Sequence, residues 1–317
     1  DAAGYKALAD FVAERLNLNA ALSKWTVPEI LECDTFPQFD ISILTRICGN
    51  IMLDVGEYAE YKKEINARRN RRWFGEYEGE YFTLLYACEF LQLFQKHGDF
   101  SAANSKALWT KYCGELYKFD FYYRKFLCAY DKLSIFEDYR ELAEKVENAY
   151  TNGYLVELSV KWCALLDDGV DKNGHIPWAI ADVQEQARFY DRQILPFVRK
   201  DERIVVIISD ALRYESAVEL TETLNRELKG ESNLSSMLGV IPSYTDLGMA
   251  VLLPHKTISL AENGTFFVDG ISTKGTDNRN KVLAAVQSES IAITYEAVSR
   301  LNKQQMKETF CNKKLIY

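Results

Sequence analysis

Two hydrophobic rhythms divide the chain. Through residues 1–199, apolar positions return every three to four residues, the spacing of one face of an α-helix. Tyr81, Leu85, Cys88, Leu91 and Phe94 form one such stripe. Val183, Ala187, Tyr190, Ile194 and Phe197 form another. Between them, Asp138 to Leu166 is a long amphipathic stretch carrying Leu142, Val146, Ala149, Leu155 and Leu158. Breaks fall at Pro28, Pro37, Gly98, Gly169, Gly174 and Pro177, residues that interrupt helices. The pattern predicts an all-helical first domain over residues 1–199.

The rhythm changes near Pro196 to Glu202. Short apolar runs then alternate with helical stretches. Strands are expected at Ile204–Ile208, Met237–Ile241, Phe266–Val268, Ser290–Thr294 and from Lys314 to Tyr317. Helices are expected at Ser216–Leu228, Asp246–Leu253, Asn278–Val286 and Val298–Lys307. Strand and helix in turn predict a parallel α/β sheet in a second domain over residues 200–317. Ile204–Ile208 is wholly β-branched, the composition of a strand buried on both faces. Asp210 follows after Ser209, just past the carboxyl end where open α/β sheets place ligands.

Composition narrows the class. The 317 residues are 48% hydrophobic and 26% charged, as in a folded globular protein. Aromatic residues reach 13%, ample for helix packing. The net charge of −8 argues against a chain-wide nucleic-acid-binding surface, though not against a local basic groove. The seven cysteines show no CxxC spacing and there are three histidines, so a Cys/His zinc site is not expected. The thiols read as buried residues of a reducing cytosol. No apolar run is long enough for a membrane span, and a cytoplasmic location follows as the expectation. The opening Asp-Ala-Ala-Gly-Tyr lacks an initiator Met and reads as the start of a fragment.

Several positions carry candidate chemistry. Asp210 reads either as a divalent-metal ligand or as the N-cap of the following helix. Ile241-Pro-Ser-Tyr-Thr-Asp-Leu-Gly-Met249 places Ser243, Thr245 and Asp246 between strand and helix. That is a cap box, a phosphate site at a helix N-terminus, or the seat of a hydroxyl nucleophile. Arg213 and Glu215 read as a turn salt bridge or as phosphate recognition. His255 reads as a hydrogen-bonded residue or a ligand. Gly275-Thr-Asp-Asn-Arg279 opens a helix with an arginine able to reach an anion. Arg68, Arg69, Arg71 and Arg72, beside Trp73, form the one strong basic cluster. It reads as a solvated helix end or as a nucleic-acid contact with a stacking ring.

In order along the chain, Val-Val-Ile-Ile-Ser-Asp-Ala-Leu-Arg-Tyr-Glu, Pro-Ser-Tyr-Thr-Asp-Leu-Gly-Met-Ala-Val-Leu-Leu-Pro-His-Lys and Gly-Thr-Asp-Asn-Arg closely resemble the PglZ-domain family of the alkaline-phosphatase superfamily. Phe121-Tyr-Tyr-Arg-Lys-Phe126, Val146-Glu-Asn-Ala-Tyr150 and Gln186-Ala-Arg-Phe-Tyr190 resemble the helical lead-in of its members in bacterial BREX phage-defence systems. The resemblance spans roughly residues 115–317. It implies a truncated alkaline-phosphatase-like sheet and a two-metal phosphoesterase or nuclease of phage defence. Asp210 would be the first-strand metal ligand and Thr245 the metal-bound nucleophile, with Zn, Mg or Mn as the metal. Beside these two, Arg213, His255 and Arg279 are the candidate phosphate contacts read from the residues themselves. The superfamily's later Asp and His ligands have no counterpart here, so this stretch alone is expected to be inactive. The resemblance implies other phage-defence proteins as partners; the arginine cluster read by itself adds DNA as a candidate, and no membrane is expected. The alternatives are a non-catalytic scaffold and a nucleic-acid-binding module.

Overall fold

The Glu78–His97 helix forms the axis of the first half of the molecule. Tyr81, Leu84, Ala87, Cys88, Phe90 and Leu91 on it are all buried. They pack against the helices Gln38–Met52, Tyr58–Arg68 and Tyr117–Tyr130. Glu78 and Glu80 stand in its first turn and Lys96 and His97 in its last, signs that suit the helix dipole. The computed structural model describes residues 2–134, 136–167, 169–176 and 178–317. It contains two compact units, Asp1–Ile176 and Pro177–Tyr317. Among the described residues, strands begin only past residue 200 apart from the two-residue strand Gln184–Glu185. Yet Tyr190 and Ile194 belong to the core of the second unit, so compactness divides the chain before residue 199.

Aromatic rings fill the first unit. Phe119 stacks on Tyr154 with centroids 4.5 Å apart, and Tyr123 on Tyr150 at 3.8 Å. The amphipathic stretch after Asp138 forms helix Arg140–Asn148, a π-helical turn Ala149–Val156 and helix Glu157–Asp167. A second π-turn, Tyr112–Leu116, precedes the Tyr117–Tyr130 helix. The wider π-turn re-aims side chains. Here the two turns deliver Tyr112, Tyr150 and Tyr154 to one buried carboxylate. Their hydroxyls donate to Asp120 at 2.9, 2.7 and 3.2 Å.

A second buried carboxylate holds the basic segment. Arg68 donates Nε and Nη2 to Asp40 at 2.9 and 2.6 Å, and Nη1 to the carbonyls of Leu31 and Cys33. Tyr81 completes Asp40 with a 2.5 Å bond. Burial works against the Arg68 charge, but Asp40 prevails and raises the guanidinium above its ordinary value. The thiols are less uniform than expected. Cys88 is buried, whereas Cys128, Cys163 and Cys311 are exposed because they lie on outer helix faces or a turn.

The second unit alternates strand and helix. We number its strands β1 (Gln184–Glu185), β2 (Ile204–Val205), β3 (Met237–Leu238), β4 (Ile258–Leu260), β5 (Phe266–Val268), β6 (Ile271–Ser272), β7 (Ser290–Ile291) and β8 (Leu315–Ile316). Parallel pairing links β1 with β3 and orders β2-β8-β7, with Ile204 opposite Leu315 and Ser290 opposite Leu315. The ladder runs one residue past β2, where the Val206 amide donates to the Ile316 carbonyl at 2.7 Å. Phe266–Val268 is a strand as expected, but it pairs antiparallel with β4 and β6. Tight turns at Gly264 and Gly270, both with positive φ, reverse the chain on either side. The expected helix Val298–Lys307 is instead two helices, Tyr295–Ser299 and Lys303–Phe310, the second opened by an Asn302 capping box.

Ile204–Ile208 does not fit the expectation of burial on both faces. Val206 is 9% exposed and joins the core with Leu253, Val268, Leu283 and Leu315. Val205 is 54% exposed and Ile207 88%. The period-two alternation of a strand turns them away from that core, towards a shallow hollow they line with Tyr295, Val298 and Phe310.

Candidate functional site

Asp210 lies where the strand reading placed it, just beyond the ladder of β2. The next residue, Ala211, has φ of 57°, left-handed backbone that a side chain adopts at a cost of about 1–3 kcal/mol. The chain turns there, and the helix Tyr214–Glu227 begins only after Arg213, which holds the N-cap position. Asp210 is therefore not the cap of that helix. Its carboxylate is exposed and accepts a hydrogen bond from Thr245 Oγ1 at 3.3 Å.

Thr245 is the first residue of the short helix Thr245–Val251, whose N-cap position is Tyr244. No side-chain cap bond forms there, so the cap-box reading of Ser243 and Thr245 does not hold. Tyr244 donates to Asp246 instead, at 3.1 Å, and this hydrogen bond raises the phenol's pKa. The fold thus brings together two residues, 210 and 245, that follow different strands, and leaves both open to solvent.

Arg279 stands in the first turns of the helix Thr276–Val286, which begins after Gly275 at φ of 81°. Its Nε donates to the Thr273 carbonyl at 3.0 Å. Its terminal nitrogens meet no acceptor among the described residues. Arg279 lines a cavity of about 220 Å³ with Ile208, Met249, Thr276 and Thr294. Ile208 is two residues before Asp210, and Met249 is one helical turn after Thr245. Asp210 and Thr245 themselves are not among the residues lining that cavity. Thr276 and Thr294 were not singled out from the sequence, because a threonine at a helix start reads first as a cap. Arg213 is exposed beside the turn, and Glu215 is buried. His255 spends Nδ1 on the Leu253 carbonyl at 2.7 Å.

The arginine cluster separates into different roles. Arg68 is fully buried in its pair with Asp40, so it cannot reach a nucleic acid. Trp73 is 3% exposed and cannot stack a base. Arg71 pairs with Glu32. Arg69 lies over the ring of Phe82 and Arg72 over that of Tyr5, at 5.4 and 4.1 Å, with both arginines exposed.

Asp210 and Thr245 offer hard oxygen donors of the kind a divalent cation takes. Zn²⁺ needs about four ligands and Ca²⁺ or Mg²⁺ six or more. Among the described residues no group of three or more His, Cys, Asp or Glu side chains converges. One carboxylate and one hydroxyl do not make a complete metal site, so these residues do not fit the metal unaided. Among the described residues no helix is long and apolar enough to cross a membrane.

Comparison with known proteins gives this geometry its context. Residues 189–317 match the family described as the BREX system PglZ alkaline phosphatase-like domain. Over 314 residues the chain is 37% identical to the "Alkaline phosphatase-like protein PglZ" of Bacillus cereus (strain H3081.97), covering 99% of this chain and 36% of that protein. It is 32% identical over 303 residues to the "Alkaline phosphatase-like protein BrxZ" of Escherichia coli O9:H4 (strain HS), covering 91% of this chain and 34% of that protein. The chain thus spans about a third of the length of these curated relatives. No solved structure matches it significantly. With the parallel strands, the carboxylate at their edge and the two sequence matches in agreement, residues 189–317 are a PglZ alkaline phosphatase-like domain and the chain belongs to that family.

Proposed function

We propose that this chain is part of a BREX phage-defence protein and contributes the nucleophile side of a phosphoester-cleaving centre. The observation that carries the proposal is the 3.3 Å hydrogen bond from Thr245 Oγ1 to Asp210 Oδ2, made at an exposed sheet edge. The bond orients the hydroxyl. Asp210 holds its proton, and the oxygen lone pairs remain free for an incoming phosphorus. In the cleavage proposed, Oγ1 bonds to phosphorus as its proton passes to Asp210, the bond from phosphorus to the leaving ester oxygen breaks, and that oxygen takes up the proton from Asp210. Arg279, fixed through Nε and open at its terminal nitrogens, suits the binding of phosphate oxygens. Asp210 would also be the first ligand of a divalent cation, with the other ligands supplied from outside these residues. Other defence-system proteins are the proposed partners, in the cytoplasm.

The test compares the 317-residue chain with the longer parent protein. Calorimetry with Mn²⁺ or Zn²⁺ is expected to show binding by the parent and its weakening in Asp210→Asn. Cleavage of an aryl phosphodiester by the parent is expected to vanish in Thr245→Ala with the fold intact. Unchanged cleavage in Thr245→Ala would remove the nucleophile assignment. Phage resistance that survives both substitutions would favour a non-catalytic scaffold.

A further inference from the structure

A pocket of about 670 Å³ opens on the first unit, between the Gln38–Met52 helix, the start of Glu78–His97 and the segment Glu137–Leu142. Its volume falls within the roughly 300–1,000 Å³ of ligand-binding sites. Leu44, Cys48, Met52 and Leu142 make an apolar floor. Tyr77 and Tyr139 add aromatic walls, and Glu80, Glu137, Asp138 and Glu141 stand around them. Only Glu137 has a cationic partner within reach among the described residues, Arg140 at 3.6 Å. The remaining carboxylates act on the pocket's own groups. The Tyr139 phenol is pushed up first by burial, then by Cys48, Glu80 and Asp138, and the Cys48 thiol first by burial, then by Glu141.

An apolar floor inside a ring of four carboxylates, of which Arg140 on the same rim pairs with Glu137 alone among the described residues, has a definite complement. A lysine or arginine side chain lays its methylenes on apolar surface while its head stays polar. Tyrosine faces attract the same cations. A free small cation would leave the floor uncovered, and a purely apolar ligand would desolvate the carboxylates without compensation. A helix with leucines on one stripe and lysines beside it answers both needs.

We propose that this pocket docks a basic amphipathic segment of a partner protein. The proposal does not depend on the phosphoester reading. The probe is a fluorescein-labelled, fourteen-residue helical Leu/Lys peptide titrated against the full 317-residue chain. Two readouts are used, anisotropy and the alkylation rate of Cys48 followed by mass spectrometry, with exposed Cys163 as the internal reference. Saturating peptide is expected to slow alkylation of Cys48 at least threefold and leave Cys163 unchanged. Glu80→Lys with Glu141→Lys is expected to weaken binding roughly two- to thirtyfold, the range for two exposed ion pairs. Glu80→Gln with Glu141→Gln, a milder pair of changes, is expected to weaken it in the same direction should the charge reversal unfold the chain. Absence of binding, or binding without protection of Cys48, would overturn the proposal. So would equal binding of a Leu/Glu peptide, which would mark general apolar adhesion. Equal protection of Cys48 by spermine would also overturn it, in favour of a small-cation site.

Discussion

Replacing Asp40 by Asn should destabilise the first unit severely. Arg68 and Asp40 are both fully buried and share two hydrogen bonds, at 2.9 and 2.6 Å. Arg68 also satisfies the carbonyls of Leu31 and Cys33, at the end of the Val27–Leu31 helix and just beyond it. Removing one member of such a pair leaves an uncompensated charge in the interior, at a cost of about 3–5 kcal/mol. A domain's whole stability is about 5–15 kcal/mol. At about 2–4 °C per kcal/mol for a unit of this size, Tm should fall by roughly 6–20 °C. Tryptophan fluorescence during thermal unfolding follows this unit, because Trp25, Trp73, Trp109 and Trp162 lie in it and Trp178 in the other. Arg68→Met should cost a similar amount. The double change Asp40→Leu with Arg68→Met should cost clearly less than the two single changes added together, since no charge is left unpaired. Loss of under about 1 kcal/mol in Asp40→Asn, or strict additivity in the double variant, would refute the reasoning.

Asp120→Ala removes the acceptor shared by Tyr112, Tyr150 and Tyr154 and should cost roughly 2–5 kcal/mol in urea unfolding, with Tyr150→Phe costing less. Alkali should unfold the protein from about pH 10 upward. Burial, the main cause, pushes Tyr77 and Tyr122 up to about 12 and raises Tyr81, Tyr139, Tyr154 and Tyr317 as well. Above an ordinary tyrosine pKa of about 10 the unfolded chain loses protons that the folded chain keeps, so stability is full below that pH and declines above it. Absorbance at the phenolate band should then rise together with loss of helix; a gradual rise in the intact fold would contradict this. Finally, binding of duplex DNA by the arginine segment should show a log–log salt slope no steeper than about −2, because only Arg69 and Arg72 are both exposed and outside an acidic pair. A slope near −4, measured by anisotropy and abolished by Arg69→Glu with Arg72→Glu, would show all four arginines engaged.

The helical half and the α/β half were legible because their periodicities differ, and Asp210 was legible because an apolar run ended on a charge. The pairing of Asp210 with Thr245 rests on a contact between residues 210 and 245, which local pattern cannot supply. The fate of Arg68 was hidden for the same reason. Its partner Asp40 lies on another helix, and Arg-Arg-Asn-Arg-Arg reads as uniformly basic until the fold buries one member and leaves others outside. The antiparallel β4-β5-β6 meander was missed because a three-residue apolar run has the same composition in either orientation. The π-turns at Tyr112 and Ala149 keep nearly the same hydrophobic rhythm as a helix, so spacing concealed how they gather three tyrosines around Asp120.

β8 lies between β2 and β7, and Ile204 waits for Leu315, more than a hundred residues later in the chain. At synthesis rates of about 5–20 residues per second, the Ile204–Ile208 segment is without its neighbour for on the order of 5–20 s. Over that interval it is a β-branched, uncharged segment with free backbone edges, the kind of segment that pairs with other chains. Production of this protein should therefore depend on protection of the nascent chain until β8 is made, so chaperone supply should raise its yield.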